Sequence, residues 1–481
     1  MFCLETIKTK ELLFVKDNTP YLPGMHLYHA KKKMEKKLSG RGIDEMKEFL
    51  RGRIDMNELG KSSGGGINSR KRIFDRPNVF ILFLVQVLTS LTCDHVVRFM
   101  QGTCAAKKGK RISSSSSAYC QGRCRLELSL LKSIFKKLSQ FLCGRTLTTW
   151  NGFDVQAVDG TGLDMPDTPE NRKAYPPRGE KVKGTSMPQL NLTAVFELFS
   201  GGVLDWEIGN KHWGEQSLWK KLMSRIRIAG TIILGDSYYC SYGNMATILK
   251  KGGHCIFPSE RDRNIEKIRR LGKGDHLVRL RRPAARAPSW TKVQWDKFPA
   301  HIILRMIEIH IGPPGFRSRK IKLFTTLADP ALYPADEIAA LQKRRWDAEL
   351  RFRDIKTAMG MNHLRCRTPE MIRKEITMFM TAYNLVRSMM LEAAQRSGIH
   401  ATRISFTSAA ALTEEWMRII LQGKTGRSKR EFMKAFFEIL SENVLPFRPG
   451  RSEPRVVKRT EQRFPKMKKP RKSYPEHRKA A

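Results

Sequence analysis

The chain has 481 residues, with 89 Lys and Arg against 46 Asp and Glu, a net charge of +43 and an isoelectric point near 10.2. Its apolar fraction of 41% and charged fraction of 28% are those of folded proteins, which excludes wholesale disorder, and its length predicts more than one domain. A surface this positive repels itself unless it meets a polyanion, so the expected partner is nucleic acid or an anionic membrane.

The membrane is excluded first. The most apolar run, Val79 to Leu88, is broken by Gln86 and then by Thr89, Ser90 and Thr92. A span needs roughly 20 mostly apolar residues, so this run reads as a buried core helix. The opening MFCLETIKTKELLF has an early Glu and no small-residue cleavage site, unlike a secretory signal. The nine cysteines are scattered, only Cys120 and Cys124 are close, and they read as free thiols of a reducing cytosol.

In chain order, residues 1–75 form a basic region with KKKMEKK at 32–38, a solvated helical stretch at 43–59 and a KSSGGG linker at 61–66. Residues 76–150 read as a small helical module. From 151 to 257 the pattern changes. DVQAVDGTG (154–162) predicts a strand ending at Asp159, and QLNLTAVFELF (189–199), a Gly201-Gly202 turn and GVLDWEIGN complete an antiparallel three-strand meander. A helix follows over 214–228, then a short buried strand TIILGDS (231–237) that delivers Asp236, a helix capped by Ser241, and a strand at 255–257. Residues 258–320 read as a β-rich insertion, with strands at 293–295 and 301–311. Core character resumes over 321–395, with one long helix over 335–359 and another over 369–394. Residues 396–481 are helical and end in a tail whose 13 Lys and Arg over 448–479 face 3 Asp and Glu. That tail reads as a nonspecific DNA clamp in preference to a disordered solubilising end.

Three acidic residues stand out by position: Asp159 and Asp236 at strand ends, and Glu349 inside the long helix. Carboxylates brought together away from water are costly unless a cation neutralises them. A pair of Mg²⁺ ions does so, being held by a few carboxylates, waters and substrate phosphates, and can activate a water or 3′-hydroxyl against a phosphodiester. On a helix, Arg345 and Lys356 fall on the face of Glu349, so one face offers a carboxylate flanked by cations that suit DNA phosphates. Arg351 and Arg353 extend the positive charge around the helix. Trp346, beside Phe352, reads as core, and Tyr238 and Tyr239 as strand-end packing.

The strings AVDGTG (157–162), ILGDSYY (233–239) and KRRWDAELRFRDIKTAMGMNHLRCRTPE (343–370) resemble those of DDE transposases of bacterial insertion sequences. The similar subgroup carries a Tyr-x2-Arg-x3-Glu-x6-Lys signature, matched here by Arg345, Glu349 and Lys356, with Gln342 at the Tyr position. Weaker matches at 117–126, 198–209 and 382–390 extend the resemblance over about 113–392. It implies an α/β, RNase H-like mixed sheet flanked by helices, with a β-rich insertion before the Glu helix. It also implies Asp159, Asp236 and Glu349 as catalytic residues and metal ligands, two Mg²⁺ ions (Mn²⁺ substituting), and cleavage and strand transfer of element-end DNA. The expected partners are double-stranded DNA at the transposon ends and the target, and a second protomer; the expected location is the bacterial cytoplasm, at the nucleoid. Each acidic residue alone has an ordinary reading as a turn, a cap or a solvated ion pair. Their order, with the insertion between the second Asp and an Arg–Glu–Lys helix, has none. A silent DNA-binding derivative and a plain metal-dependent nuclease are the alternatives.

Overall fold

The computed structural model describes residues 46, 49–50, 52–60, 73–108, 112–146, 148–177, 186–259, 263–311, 319–422 and 429–446. The KKKMEKK and KSSGGG segments and the basic tail lie outside them.

Helices α1 (Met56–Gly60), α2 (Arg76–Thr89), α3 (Cys93–Lys108), α4 (Ser117–Arg125) and α5 (Leu128–Gly144) come first. Asp75 starts α2 by accepting from the Asn78 amide, Pro77 occupies its first turn, and Ser90 ends it at a φ of 52°. Every residue from Val79 to Leu88 is buried, as the apolar run predicts. Among the described residues no single helix is long and apolar enough to cross a membrane; α2 and the start of α3 qualify only as a pair bent by 119°.

The meander follows as β1 (Asp154–Asp164), α6 (Pro169–Ala174), β2 (Gln189–Glu197) and β3 (Val203–Gly209). Then come α7 (Glu215–Arg225), β4 (Thr231–Leu234), α8 (Tyr242–Lys250) and β5 (His254–Ser259). Strands β1, β4 and β5 are parallel, and β2 and β3 join antiparallel, giving the order 3-2-1-4-5. Ser241 caps α8 through the Asn244 amide. The insertion supplies β6 (Ile265–Gly272), β7 (Asp275–Arg281), α9 (Lys292–Asp296), β8 (His301–Ile311) and β9 (Arg319–Thr325). Because β9 pairs with β5, the insertion prolongs one nine-stranded mixed sheet. The VQW segment expected as a strand is the helix α9. Thr291 and Gln294 form a capping box there, and the half-buried Phe298 packs edge-on against the buried Trp290 and Trp295.

Strand alternation divides the core. Ala157, Ala194, Trp206 and Leu234 face one layer, with α2, α5 and the later helices; Val158, Val195 and Ile233 face the other, with α7 and α8. The first layer is completed by α10 (Ala335–Lys343), α11 (Trp346–Arg353), a π-helical turn (Asp354–Ala358), α12 (Pro369–Ser397), α13 (Phe406–Gln422) and α14 (Lys429–Glu442). The 29-residue α12 runs through this layer with most of its side chains buried.

Three expectations are corrected here. The helix expected over 335–359 is broken after Lys343 and changes to a π turn at Asp354, where Arg387 holds the Asp354 carboxylate at 3.0 Å. The stretch at 43–59 is not a solvated face: Met46, Phe49, Leu50, Ile54 and Leu59 are buried, and Phe49 packs edge-on against Phe436 of α14. The helices of 76–150 share the sheet's first core layer rather than standing apart from it.

Candidate active site

Register positions the two aspartates. The last parallel pair between β1 and β4 is Ala157 with Leu234, and Asp159 and Asp236 each lie two residues further on. Both therefore fall at the same distance past that pair, Asp159 within β1 and toward the first core layer, Asp236 just beyond the end of β4. Asp159 does not end its strand. Strand β1 continues to Asp164 on β2, whereas β4 stops at Leu234, so Asp159 sits where β1 loses one neighbour.

Helix α11 packs against β1 on this face, with Phe352 edge-on to Phe196 of β2 at 5.1 Å. It carries Glu349, which accepts from Arg345 at 2.9 Å. Lys356, in the π turn, donates to Thr161 Oγ1 at 2.9 Å and to the Gly162 carbonyl at 3.2 Å, reaching β1 just beyond Asp159. Burial lowers the Lys356 pKa, opposed by Asp164.

Asp159 registers the whole group. Its pKa is raised to about 7, first by burial; the Gly160 amide and Arg345 pull it down, while Glu349 and Asp236 push it up. Arg345, Glu349 and Asp236 are thus each within electrostatic reach of Asp159. Among the described residues no set of three His, Cys, Asp or Glu side chains closes into a ready coordination shell. Instead Asp159 accepts from the Gly160 amide at 2.8 Å, Asp236 from the Tyr238 amide at 2.8 Å, and Glu349 from Arg345. The donors are nonetheless hard carboxylate oxygens, with Asp159 largely buried among them and Glu349 and Asp236 near enough to act on its charge. That set fits divalent cations.

Of the cations expected to meet DNA, Arg345 faces the cluster, Lys356 is held on Thr161 and Gly162 of β1, and Arg353 is exposed. Arg351 is corrected: it is buried against Gly201 and Arg387, behind the helix, and burial lowers its pKa. Trp346 is corrected in the other direction, being 47% exposed with the Arg345 guanidinium 5.7 Å from its ring. Tyr238 is exposed and Tyr239 buried.

Two further residues meet the site's backbone: Gln342, named by the signature, and Glu215, which the sequence did not single out. Gln342, at the Tyr position of the signature, is buried and donates to the carbonyl of Gly235 at 3.0 Å, immediately before Asp236. Glu215, in the first turn of α7, fills the space a Cβ at Gly160 would need, its Oε1 2.3 Å from that position. Together with Asp159 and Asp236 it raises the pKa of the buried Tyr239 hydroxyl, after burial itself. The signal for Glu215 was present in HWGEQSLW, an acidic residue opening a helix beside a DGTG strand.

A 3-2-1-4-5 sheet with β1, β4 and β5 parallel has the strand order of an RNase H-like fold, here with Asp159 inside β1 and Asp236 just past β4. The family model for the transposase DDE domain matches residues 150–385. The chain is 30% identical over 364 residues to the transposase InsG for insertion sequence element IS4 of Escherichia coli (strain K12), an alignment covering 74% of this chain and 79% of that one. A cryo-EM structure of the piggyBac transposase synaptic complex with hairpin DNA superposes with a TM-score of 0.43 at 10% identity, covering 85% of this chain and 86% of that one. The chain belongs to the DDE transposases of insertion sequences, enzymes that cut and join DNA with divalent metal ions.

Proposed function

We propose that Asp159, Asp236 and Glu349 are the catalytic residues and that they hold two Mg²⁺ ions, for which Mn²⁺ substitutes. The observation that carries this reading is the matched position of Asp159 and Asp236, each two residues past the last β1–β4 pair, with Glu349 close enough to act on the Asp159 charge. When bound, such ions supply Lewis-acid stabilisation of the leaving oxygen and a nucleophile at neutral pH. Arg345 and Lys356 hold the phosphates on either side, and Arg353 adds a solvent-facing contact. Gln342 fixes the backbone that carries Asp236. The same carboxylates serve both displacements, first of water on the element end and then of the freed 3′-hydroxyl on target DNA.

The exposed faces of the helices of 76–150 are the proposed contacts to the element ends. The two parts 151–257 and 321–395 form the catalytic core around the insertion 258–320, and 1–75 and 396–481 flank it. Two ends need two protomers, so the active assembly is a homodimer on DNA, acting in the cytoplasm at the nucleoid.

The test is incubation of the purified protein with its own flanking DNA ends, in Mg²⁺ or EDTA, beside Asp236→Ala. Mg²⁺-dependent cleavage and joining, lost in the variant while DNA binding stays, is the expected result. Full strand transfer by Glu349→Ala would remove that residue from the triad.

A further inference from the structure

We propose that Cys93 and Cys120 form a peroxide-responsive thiol pair, whose reversible disulfide ties α3 to α4 and loosens the segment that follows the π turn. The two side chains come from different helices, Cys93 from the first position of α3 and Cys120 from the first turn of α4, and they share a hydrogen bond. Both are half-buried, so a small oxidant in solution reaches them. Bond formation needs the sulfurs to close from contact to about 2 Å.

The surroundings suit such a pair. Cys93 lines a cavity of about 230 Å³ together with Gln86, Leu91, Arg123, Arg365 and Cys366. The Arg123 guanidinium lies within electrostatic reach of Cys93, Cys120 and Cys366, and a nearby cation favours the reactive thiolate. Burial and then Cys93 raise the Cys120 pKa, with Arg123 opposing, so Cys120 waits as a thiol. The other nearby cysteines are engaged elsewhere: Cys366 is buried and hydrogen-bonded to Glu375, and the Cys124 sulfur meets Met371 Sδ at 3.8 Å.

The chemistry runs in two steps. Hydrogen peroxide entering the cavity gives one oxygen to the Cys93 sulfur, forming a sulfenic acid, and leaves as water. The Cys120 sulfur then attacks that of Cys93. The S–O bond breaks, the S–S bond forms, and the departing hydroxide takes the Cys120 proton as a second water. Two thiols thereby lose two hydrogens and two electrons to one peroxide, and a dithiol reductant restores them.

One side chain joins this pair to the chain beyond Glu349. The Gln86 amide nitrogen donates to the Leu91 carbonyl at 3.2 Å and to Cys93 Sγ at 3.5 Å. Its oxygen accepts from the Tyr119 hydroxyl at 2.8 Å and from Arg123 at 3.2 Å. On the far side of the same corner, Arg365 donates to the Ser90 carbonyl at 2.6 Å and to the Leu91 carbonyl at 3.0 Å. Ser90 Oγ donates to the carbonyl of Met359, the residue that ends the π turn, at 3.0 Å. Drawing Cys93 toward α4 takes its sulfur from Gln86 and shifts Leu91, so the oxidised corner holds Arg365 and Met359 less firmly.

The test is treatment of the full chain with hydrogen peroxide, alkylation of the remaining thiols with N-ethylmaleimide, and peptide mass spectrometry without reduction. A linked Cys93–Cys120 peptide that dithiothreitol removes is expected. Cys120→Ser should give no linked peptide and leave a sulfenic acid at Cys93 that dimedone traps. Hydrogen exchange over 359–366 should rise on oxidation of the wild type and stay level in Cys120→Ser. Cleavage of end DNA, a readout that rests on the function proposed above, should slow about fivefold and recover with dithiothreitol. An oxidised wild type with no bridge, or with one through Cys124 or Cys366, would overturn the pair. A Cys93–Cys120 bridge with unchanged exchange and unchanged cleavage would overturn its coupling to the π turn. Bridge and exchange are read without DNA, so a reduced protein that never cleaves would overturn the triad alone.

Discussion

The side-chain amide of Gln342 donates to the carbonyl of Gly235 at 3.0 Å, joining the helix before Glu349 to the residue before Asp236. Two of the proposed metal ligands are thereby spaced by one buried hydrogen bond. Gln342→Leu removes the donor and leaves the carbonyl unpaired, at a cost of about 1–3 kcal/mol. Its cleavage rate should fall with little change in affinity for end DNA, as single-turnover kinetics beside anisotropy titration would show. An unchanged rate would make the bond structural only.

The acidity of Asp159 couples folding to pH when metal is removed. Its native pKa of about 7 lies above the ordinary value of 3.8, so its contribution to stability is complete below about pH 4 and lost as pH rises through 7. At 1.36 kcal/mol per unit, the full effect is about 4 kcal/mol. In EDTA, Asp159→Asn should therefore melt higher than wild type at pH 8 and alike at pH 4. Adding Mn²⁺ at pH 8 should stabilise the wild type more than the variant.

Gly201, in the β2–β3 turn, has a φ of 70°, and a Cβ there would lie 2.8 Å from Arg351 Nε. Gly398 has a similar φ of 66° but open space around it. Gly201→Ala should thus cost about 1–3 kcal/mol beyond Gly398→Ala, since it adds displacement of a buried guanidinium to the shared backbone strain. Urea denaturation of the two variants makes the comparison.

Arg305 of β8 and Asp275 of β7 form a buried bidentate pair, with the closest contact at 2.6 Å, and Arg305 also donates to the Tyr333 carbonyl at 2.6 Å. Arg305→Met strands a buried carboxylate and should cost about 3–5 kcal/mol. Arg305→Met with Asp275→Asn should recover much of that loss in the same denaturation assay.

The meander, the buried strand before Asp236 and the insertion were legible because alternation and turn residues are local signals. Asp159 was found from its DGT string, but its place inside β1 was not, because the strand's end depends on β2, a partner distant in sequence. Arg351 and Trp346 were misread for one reason: helical spacing says which residues share a face, not which face meets the core. The break after Lys343 separates α11 from the helix before it, and Arg387, 33 residues beyond Asp354, holds the π turn that follows. Helix α9 carried its own local mark, the Thr291–Gln294 box, outweighed by the β character around it. Glu215 opens its helix by a local mark, but its place against Gly160, 55 residues earlier, is a contact that the local pattern does not give.

The ladder between β9 and β5 has a mechanical consequence. An arm tied on by two loops could swing like a gate, whereas β9 is laced to β5 over four residue pairs, Ile256 with Thr325 through Ser259 with Lys322. Strand β5 is in turn the neighbour of β4, which leads to Asp236. The insertion is therefore held as a rigid extension of the sheet that carries Asp236, and it moves with that sheet rather than on its own.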